Sequence, residues 1–146
     1  MLAKICRCGI IEKGEYIMDD LRKQLLFLDH GRGGYLKDAC LKASEVKVTT
    51  EVGYLGILES EPEPYLESSI IFLSNQQDYD LVILGHGEFG LKKAQLICGA
   101  LRNKTIVVSD ELLSSGIFRA YRNLGYYRFM TRADASMMVR RELKLE

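Results

Sequence analysis

Apolar residues between positions 81 and 109 follow the pattern of a strand, a helix and a second strand. Leu81–Leu84 is a short apolar run that ends at Gly85, and 105–109 is a second run rich in β-branched residues. Such runs are typical of strands that are buried on both faces of a parallel sheet. Between them, apolar residues recur at spacings of three and four, which predicts one amphipathic helix through Leu91, Ala94, Ile97 and Leu101. We therefore predict a βαβ unit with a right-handed crossover.

The segment after this unit predicts one helix and two strands. Asp110 is a suitable N-cap for a helix that runs to about Arg122, and Gly125 is suited to end it. Residues 126–130 predict the next strand. In 136–145, alternating apolar positions predict an antiparallel edge strand, with a helix as the alternative.

The segments before the unit predict further strands and helices. Val46–Thr50 predicts a strand with Tyr54–Leu58 as its hairpin partner, and a helix is predicted over 65–73. Residues 15–29 place apolar side chains on one helical face, whereas Leu25–Leu28 alone would also suit a strand. Both interpretations stay open at this point.

Length and composition fit one α/β domain over residues 1–146: a layered, mostly parallel sheet with helices on both faces. The chain has 146 residues, of which 47% are hydrophobic and 27% charged, values that exclude a disordered or collagen-like chain. The longest apolar runs contain four residues, whereas a membrane span needs roughly 18. We therefore expect a cytoplasmic protein with no membrane partner. Four scattered cysteines predict neither a disulfide framework nor a metal site.

Two segments resemble each other within the chain. Leu25–Gly34 aligns without gaps against Leu81–Gly90, with two leucines, one histidine and two glycines in common. The similarity leaves open a duplication of two βαβ halves. In that case, two His-Gly loops would face one cleft.

Gly85, Gly87 and Gly90 have the Gly-x-Gly-x-x-Gly spacing, after a predicted strand and before a predicted helix. The segment resembles the dinucleotide-binding fingerprint of Rossmann domains. The resemblance implies a nucleotide cofactor, with a phosphate at the helix N-terminus and Asp110 on the ribose hydroxyls. The alternative is a turn that only allows the helix to pack closely on the sheet.

Ligands of open parallel sheets bind beyond the carboxyl ends of the strands. We therefore predict a pocket for a small anionic ligand, formed by Gly85, His86, Gly87, Gly90, Ser109 and Asp110 and completed by His30 and Arg32. His86 and Glu88 are the candidate catalytic residues, because a histidine beside a carboxylate is the minimal general acid/base pair. The pattern implies no particular reaction.

The net charge of zero conceals two segments of opposite charge. Residues 45–90 contain nine acidic residues and one lysine, a net charge of −8, whereas 117–146 contain seven basic and three acidic residues, a net charge of +4. In the basic segment, arginines alternate with aromatic residues, as in surfaces that bind single-stranded RNA. The alternative function is therefore a non-enzymatic interaction module. It would bind RNA or form a homodimer or other homo-oligomer through Arg119, Arg122, Tyr126, Arg128 and Arg132.

Overall fold

Five strands form one parallel sheet in the computed structural model, which describes residues 21–29, 34–50, 70–87 and 89–145. The order across the sheet is β2-β1-β3-β4-β5, and every neighbouring pair is parallel. The strands are β1 (Lys23–Leu28), β2 (Val46–Thr50), β3 (Leu81–Gly85), β4 (Thr105–Ser109) and β5 (Phe129–Thr131). This is the order of flavodoxin-like doubly wound domains, so the predicted α/β class with a parallel sheet is confirmed.

Helices cover both faces of the sheet. They are α1 (Gly34–Asp38), the helical residues 70–75 (α2), α3 (Gly90–Leu96), α4 (Gly99–Arg102), α5 (Ser115–Asn123) and α6 (Arg132–Glu142). Strand side chains alternate between two buried clusters, because successive residues of a strand point to opposite faces. Leu26 and Leu28 pack with α2 to α5, whereas Leu25 and Phe27 pack with α1 and α6. None of the described helices has the length and apolarity needed to cross a bilayer.

The strand interpretation of Leu25–Leu28 is confirmed, because these residues lie in β1. β1 pairs with β3 in the register Leu25 to Leu81 and Leu28 to Leu84. This is also the register of the internal similarity found in the sequence. The carboxyl ends of β1 and β3 therefore lie side by side, at the point where the strand order reverses.

The predicted antiparallel edge strand over 136–145 is wrong, because α6 occupies most of this segment. Thr131 caps the helix and accepts a hydrogen bond from the Asp134 N–H at 3.2 Å. The buried positions recur every four residues, at Ala135, Val139 and Leu143, whereas Met137 is exposed. The helical spacing of these residues outweighs the local alternation on which the strand prediction depended.

The predicted single helix through Leu91 and Leu101 is interrupted, because Ile97 is extended between α3 and α4. Arg102 stabilises the interruption: its guanidinium donates to the carbonyls of Gln95 and Ile97, at 3.1 Å each, and to that of Leu124 at 2.6 Å. One side chain thus satisfies carbonyl groups near the ends of two helices, which would otherwise lack partners.

Helix α5 begins later than predicted, because Ser114 rather than Asp110 is its N-cap. The predicted end at Gly125 is confirmed. Gly125 has φ of +101°, and its N–H and that of Tyr126 donate to the carbonyls of Arg122 and Tyr121, as in a Schellman motif. The following strand is confined to 129–131 instead of 126–130. The predicted strand 54–58 and the start of the predicted helix 65–73 lie outside the described residues.

The positive φ at Gly125 yields a test of this helix end. Gly125→Ala should lower the free energy of unfolding by about 1–2 kcal/mol, because a Cβ is strained in the left-handed region. Gly116→Ala is the matched control, because a Cβ at Gly116 meets no atom within 4 Å and its φ is not positive. The control should leave stability unchanged or raise it by up to about 1 kcal/mol. Equal effects of the two variants in urea unfolding would contradict the assignment.

Candidate functional site

A buried ion pair lies at the carboxyl edge of the sheet. Asp29 directly follows β1 and is only 4% exposed. Arg132, the first residue of α6, donates from Nε to Oδ2 and from Nη2 to Oδ1 of Asp29, both at 2.7 Å. The Tyr35 hydroxyl donates to the same Oδ2 at 2.8 Å. The buried carboxylate thus has a bidentate, charge-assisted partner, which burial of a charge requires.

The same guanidinium reaches a second carboxylate. Arg132 Nη1 donates to Asp110 Oδ1 at 2.9 Å, and the Asp110 side chain is 59% exposed. Arg132 therefore connects the residue after β1 with the residue after β4. The hydrogen bond to Asp29 raises the pKa of Arg132 although burial opposes this, and burial together with the charge of Asp29 raises the pKa of Tyr35. Arg132 stays charged and Tyr35 stays protonated at physiological pH.

Two glycines of the predicted motif make room for buried polar side chains. A Cβ at Gly85 would lie 1.8 Å from Asp29 Oδ1, so Gly85 is required for the ion pair. A Cβ at Gly90 would lie 2.5 Å from the Tyr121 hydroxyl oxygen and 3.0 Å from His86 Nδ1. Gly87 differs, because a Cβ there meets no atom within 4 Å and its φ is not positive.

His86 forms a hydrogen bond with a buried tyrosine. His86 Nδ1 lies 2.7 Å from the hydroxyl oxygen of Tyr121, which is fully buried. Burial, and secondarily the charge of Arg132, lowers the pKa of His86, and burial raises the pKa of Tyr121. Both side chains are therefore uncharged at neutral pH. His86 follows β3 directly, so its ring lies beside the Asp29–Arg132 pair at the same edge.

These groups line a cavity of about 610 Å³ that spans the ends of β1, β3 and β4. It lies where the strand order reverses, the usual ligand position in this class of sheet, and its volume is in the range of small-molecule sites. Its polar lining is formed by Asp29, His86, Lys93, Ser109, Asp110, Glu111, Ser114 and Arg132, and its apolar rim by Phe89, Leu112, Leu113 and Ile117. Among the described residues, no three histidine, cysteine or carboxylate side chains converge to hold a metal.

The structure brings most of the predicted pocket residues together. Gly85, His86, Gly87, Gly90, Ser109 and Asp110 all line the cavity. His30, Arg32 and Glu88 lie outside the described residues. The Ser109 hydroxyl donates to the Glu111 carbonyl, and Asp110 accepts from Arg132. The helix after the glycine motif has only seven residues, which is shorter than the predicted helix.

Sequence reasoning missed Asp29, Lys93 and the role of Arg132 in this pocket. The sequence pattern predicts that Arg132 belongs to the interaction surface, but its side chain is 12% exposed and lines the cavity. Asp29 had a recognisable signal, because it follows an apolar run that aligns with the run before Gly85. Asp29 and Arg132 are 103 residues apart in the chain, so the spacing of neighbouring residues does not indicate their contact.

The predicted Arg/aromatic surface is smaller than expected. The prediction that Tyr126 belongs to this surface is wrong, because Tyr126 is fully buried and its hydroxyl donates to the Ala94 carbonyl at 2.5 Å. Arg128 forms an ion pair with Glu142. Arg119 and Arg122 remain exposed on α5. The guanidinium of Arg122 lies over two aromatic rings, 5.5 Å from the centroid of each: Phe118 and Tyr127.

Comparison with known proteins shows the fold of this chain. No protein-family model matches the sequence, and no curated protein matches it. Among solved structures, the chain is similar to the receiver domain of the histidine kinase CKI1 from Arabidopsis thaliana, in a variant with one aspartate replaced by alanine. The TM-score is 0.50 at 20% sequence identity, over 86% of this chain and 94% of that domain. The protein is therefore an α/β domain with a receiver-like fold.

The contact between Gly85 and Asp29 yields a second test. Gly85→Ala should lower the free energy of unfolding by about 3 kcal/mol or more, because the added methyl group displaces a buried, paired carboxylate. Gly87→Ala is the matched control in the same loop and should change stability by less than about 1 kcal/mol. Urea unfolding of both variants measures the difference. A stable Gly85→Ala protein would show that the carboxylate does not lie against Gly85.

Proposed function

We propose that the domain binds a small ligand with one anionic group in the cavity at the carboxyl edge of the sheet. The observation that carries the proposal is Gly87, which lines the cavity although neither its φ nor its packing requires a glycine. A glycine in the wall of a cavity lets a ligand approach the backbone closely, and this supports the proposal. Gly85 and Gly90, by contrast, are required by the packing of the neighbouring side chains.

The charges of the cavity limit the ligand to few negative charges. The described lining contains two cations, Lys93 and Arg132, against three carboxylates, Asp29, Asp110 and Glu111. A di- or triphosphate would add several negative charges to a lining that is already negative, whereas one phosphomonoester or carboxylate adds little. Of the nucleotides that the glycine motif implies, the proposal therefore favours a nucleoside monophosphate.

Arg132 is the group that would hold the anion. A guanidinium has five N–H groups, and three of those of Arg132 donate to Asp29 and Asp110. Asp29 is buried and fixed, but Asp110 is mostly exposed. A ligand carboxylate or phosphate would take the place of Asp110 on the outer edge of Arg132. One anion replaces another in this exchange, so no unpaired charge becomes buried.

Thermal unfolding with adenosine, AMP, ADP and ATP tests the proposal. AMP at about one hundred times its Kd should add roughly 2.7 kcal/mol of stability and raise Tm by about 5–10 °C. Adenosine, ADP and ATP should give smaller shifts. Gly87→Val should abolish the AMP shift. The matched control is Gly99→Val, because a Cβ at Gly99 also meets open space and Gly99 does not line the cavity.

Two outcomes would overturn the proposal. An AMP shift that survives in Gly87→Val places the ligand elsewhere, and the absence of a shift with AMP and with acetate or benzoate removes the small-anion site. RNA and heparin serve as polyanion controls. A shift with these alone favours the second candidate function, an interaction surface at Arg119 and Arg122, for which the position of Arg122 over Phe118 and Tyr127 is the supporting observation.

A further inference from the structure

We infer that His86 is a fixed hydrogen-bond donor of the cavity, with its proton on Nε2, and that it selects ligands with an acceptor atom beside their anionic group. The inference about the ligand rests on the proposed function. The inference about the proton on the ring does not. It assigns His86 to recognition, whereas a histidine beside a carboxylate at first indicates acid/base catalysis.

The hydrogen bond between Tyr121 and His86 determines the tautomer. The Tyr121 hydroxyl is fully buried, so its hydrogen needs an acceptor. Within the described part of the chain, the recorded partner of this hydroxyl is His86 Nδ1 at 2.7 Å. If Nδ1 carried the ring proton, it would donate to the tyrosine oxygen, and the buried hydroxyl hydrogen would have no acceptor. The hydroxyl therefore donates, and Nδ1 accepts.

A neutral imidazole with an accepting Nδ1 carries its proton on Nε2. The two ring nitrogens point in nearly opposite directions, so Nε2 points away from buried Tyr121. His86 lines the cavity, and we assign its Nε2–H to the side of the ring that faces the ligand position. Gly90 is part of this arrangement, because a side chain at position 90 would push Tyr121 and His86 apart.

The surroundings also keep His86 neutral. A protonated ring would donate from both nitrogens. The Tyr121 oxygen would then accept from Nδ1, and the buried hydroxyl hydrogen would lose its acceptor. The charge of Arg132 from α6 further disfavours a second cation at this edge. The other charged side chains of the described lining are Lys93, Glu111 and the two carboxylates that Arg132 binds, Asp29 and Asp110. His86 therefore presents the same N–H donor throughout the physiological pH range.

The N–H donor at Nε2 sets one further requirement that the ligand must meet. The carboxylates of Asp29 and Asp110 can only accept hydrogen bonds, and Arg132 would hold the anionic group. His86 would therefore bind an uncharged acceptor near that anion, such as a carbonyl oxygen, an ether oxygen or a ring nitrogen. A ligand with a donor at this point would face the Nε2–H directly and would be rejected, because a buried donor would lose its partner.

Nitrogen NMR of the free protein tests the tautomer directly. In protein with ¹⁵N-labelled histidine at pH 7.5, the Nδ1 of His86 should resonate in the pyridine-like range and its Nε2 in the pyrrole-like range. The chain has two histidines, and a His30→Gln variant assigns the signals. In Tyr121→Phe the donor to Nδ1 is gone, so the tautomers should mix and the pKa of His86 should rise. A protonated Nδ1 in the unmodified protein would overturn the inference.

His86→Asn tests the role in binding. The Asn Oδ1 replaces Nδ1 as an acceptor for Tyr121, but the variant has no donor at the position of Nε2. We expect its Tm without ligand to stay near that of the unmodified protein and its affinity for AMP to fall about tenfold. Unchanged AMP affinity would overturn the assigned role. If AMP binds to neither protein, the proposed function fails, while the nitrogen spectrum still decides the tautomer.

Discussion

The buried ion pair between Asp29 and Arg132 fixes the geometry of the carboxyl edge. It joins the end of β1 to the start of α6, 103 residues apart, across the ends of two intervening strands. Taking two charges out of water costs several kcal/mol per ion, so such a pair persists only with excellent geometry and full hydrogen bonding. Tyr35 and Asp110 complete that bonding. The pair is therefore weak evidence for extra stability and better evidence for a defined arrangement of the cavity.

The glycine motif around the cavity combines structural and functional requirements. Gly85 leaves room for Asp29, and Gly90 leaves room for the contact between Tyr121 and His86. Only Gly87 has no such reason, and it faces the cavity. The same Gly-x-Gly-x-x-Gly spacing that resembles a dinucleotide site thus arises here largely from side-chain packing. The lining carboxylates and the short helix α3 fit a ligand with one anionic group better than a dinucleotide.

The sequence predicts the central strands of this fold and several of the residues that line the candidate cavity. Leu81–Leu84 and 105–109 are buried on both faces, so their apolar runs predicted strands correctly, and the strand ends located His86 and Asp110. Predictions from local patterns were wrong or incomplete where contacts between residues far apart in the chain determine the structure. The spacing of Ala135 and Val139 reflects packing against the sheet, and the role of Arg132 depends on Asp29 in another part of the chain.

A double-mutant cycle on Asp29 and Arg132 tests the central claim most directly. Asp29→Ala, Arg132→Ala and the double variant are compared with the unmodified protein by urea unfolding. A buried, bidentate pair should give a coupling free energy of about 2 kcal/mol or more, so the double variant should be much less destabilised than the sum of the single ones. A coupling below about 0.5 kcal/mol, as exposed ion pairs give, would show that the pair does not organise this edge.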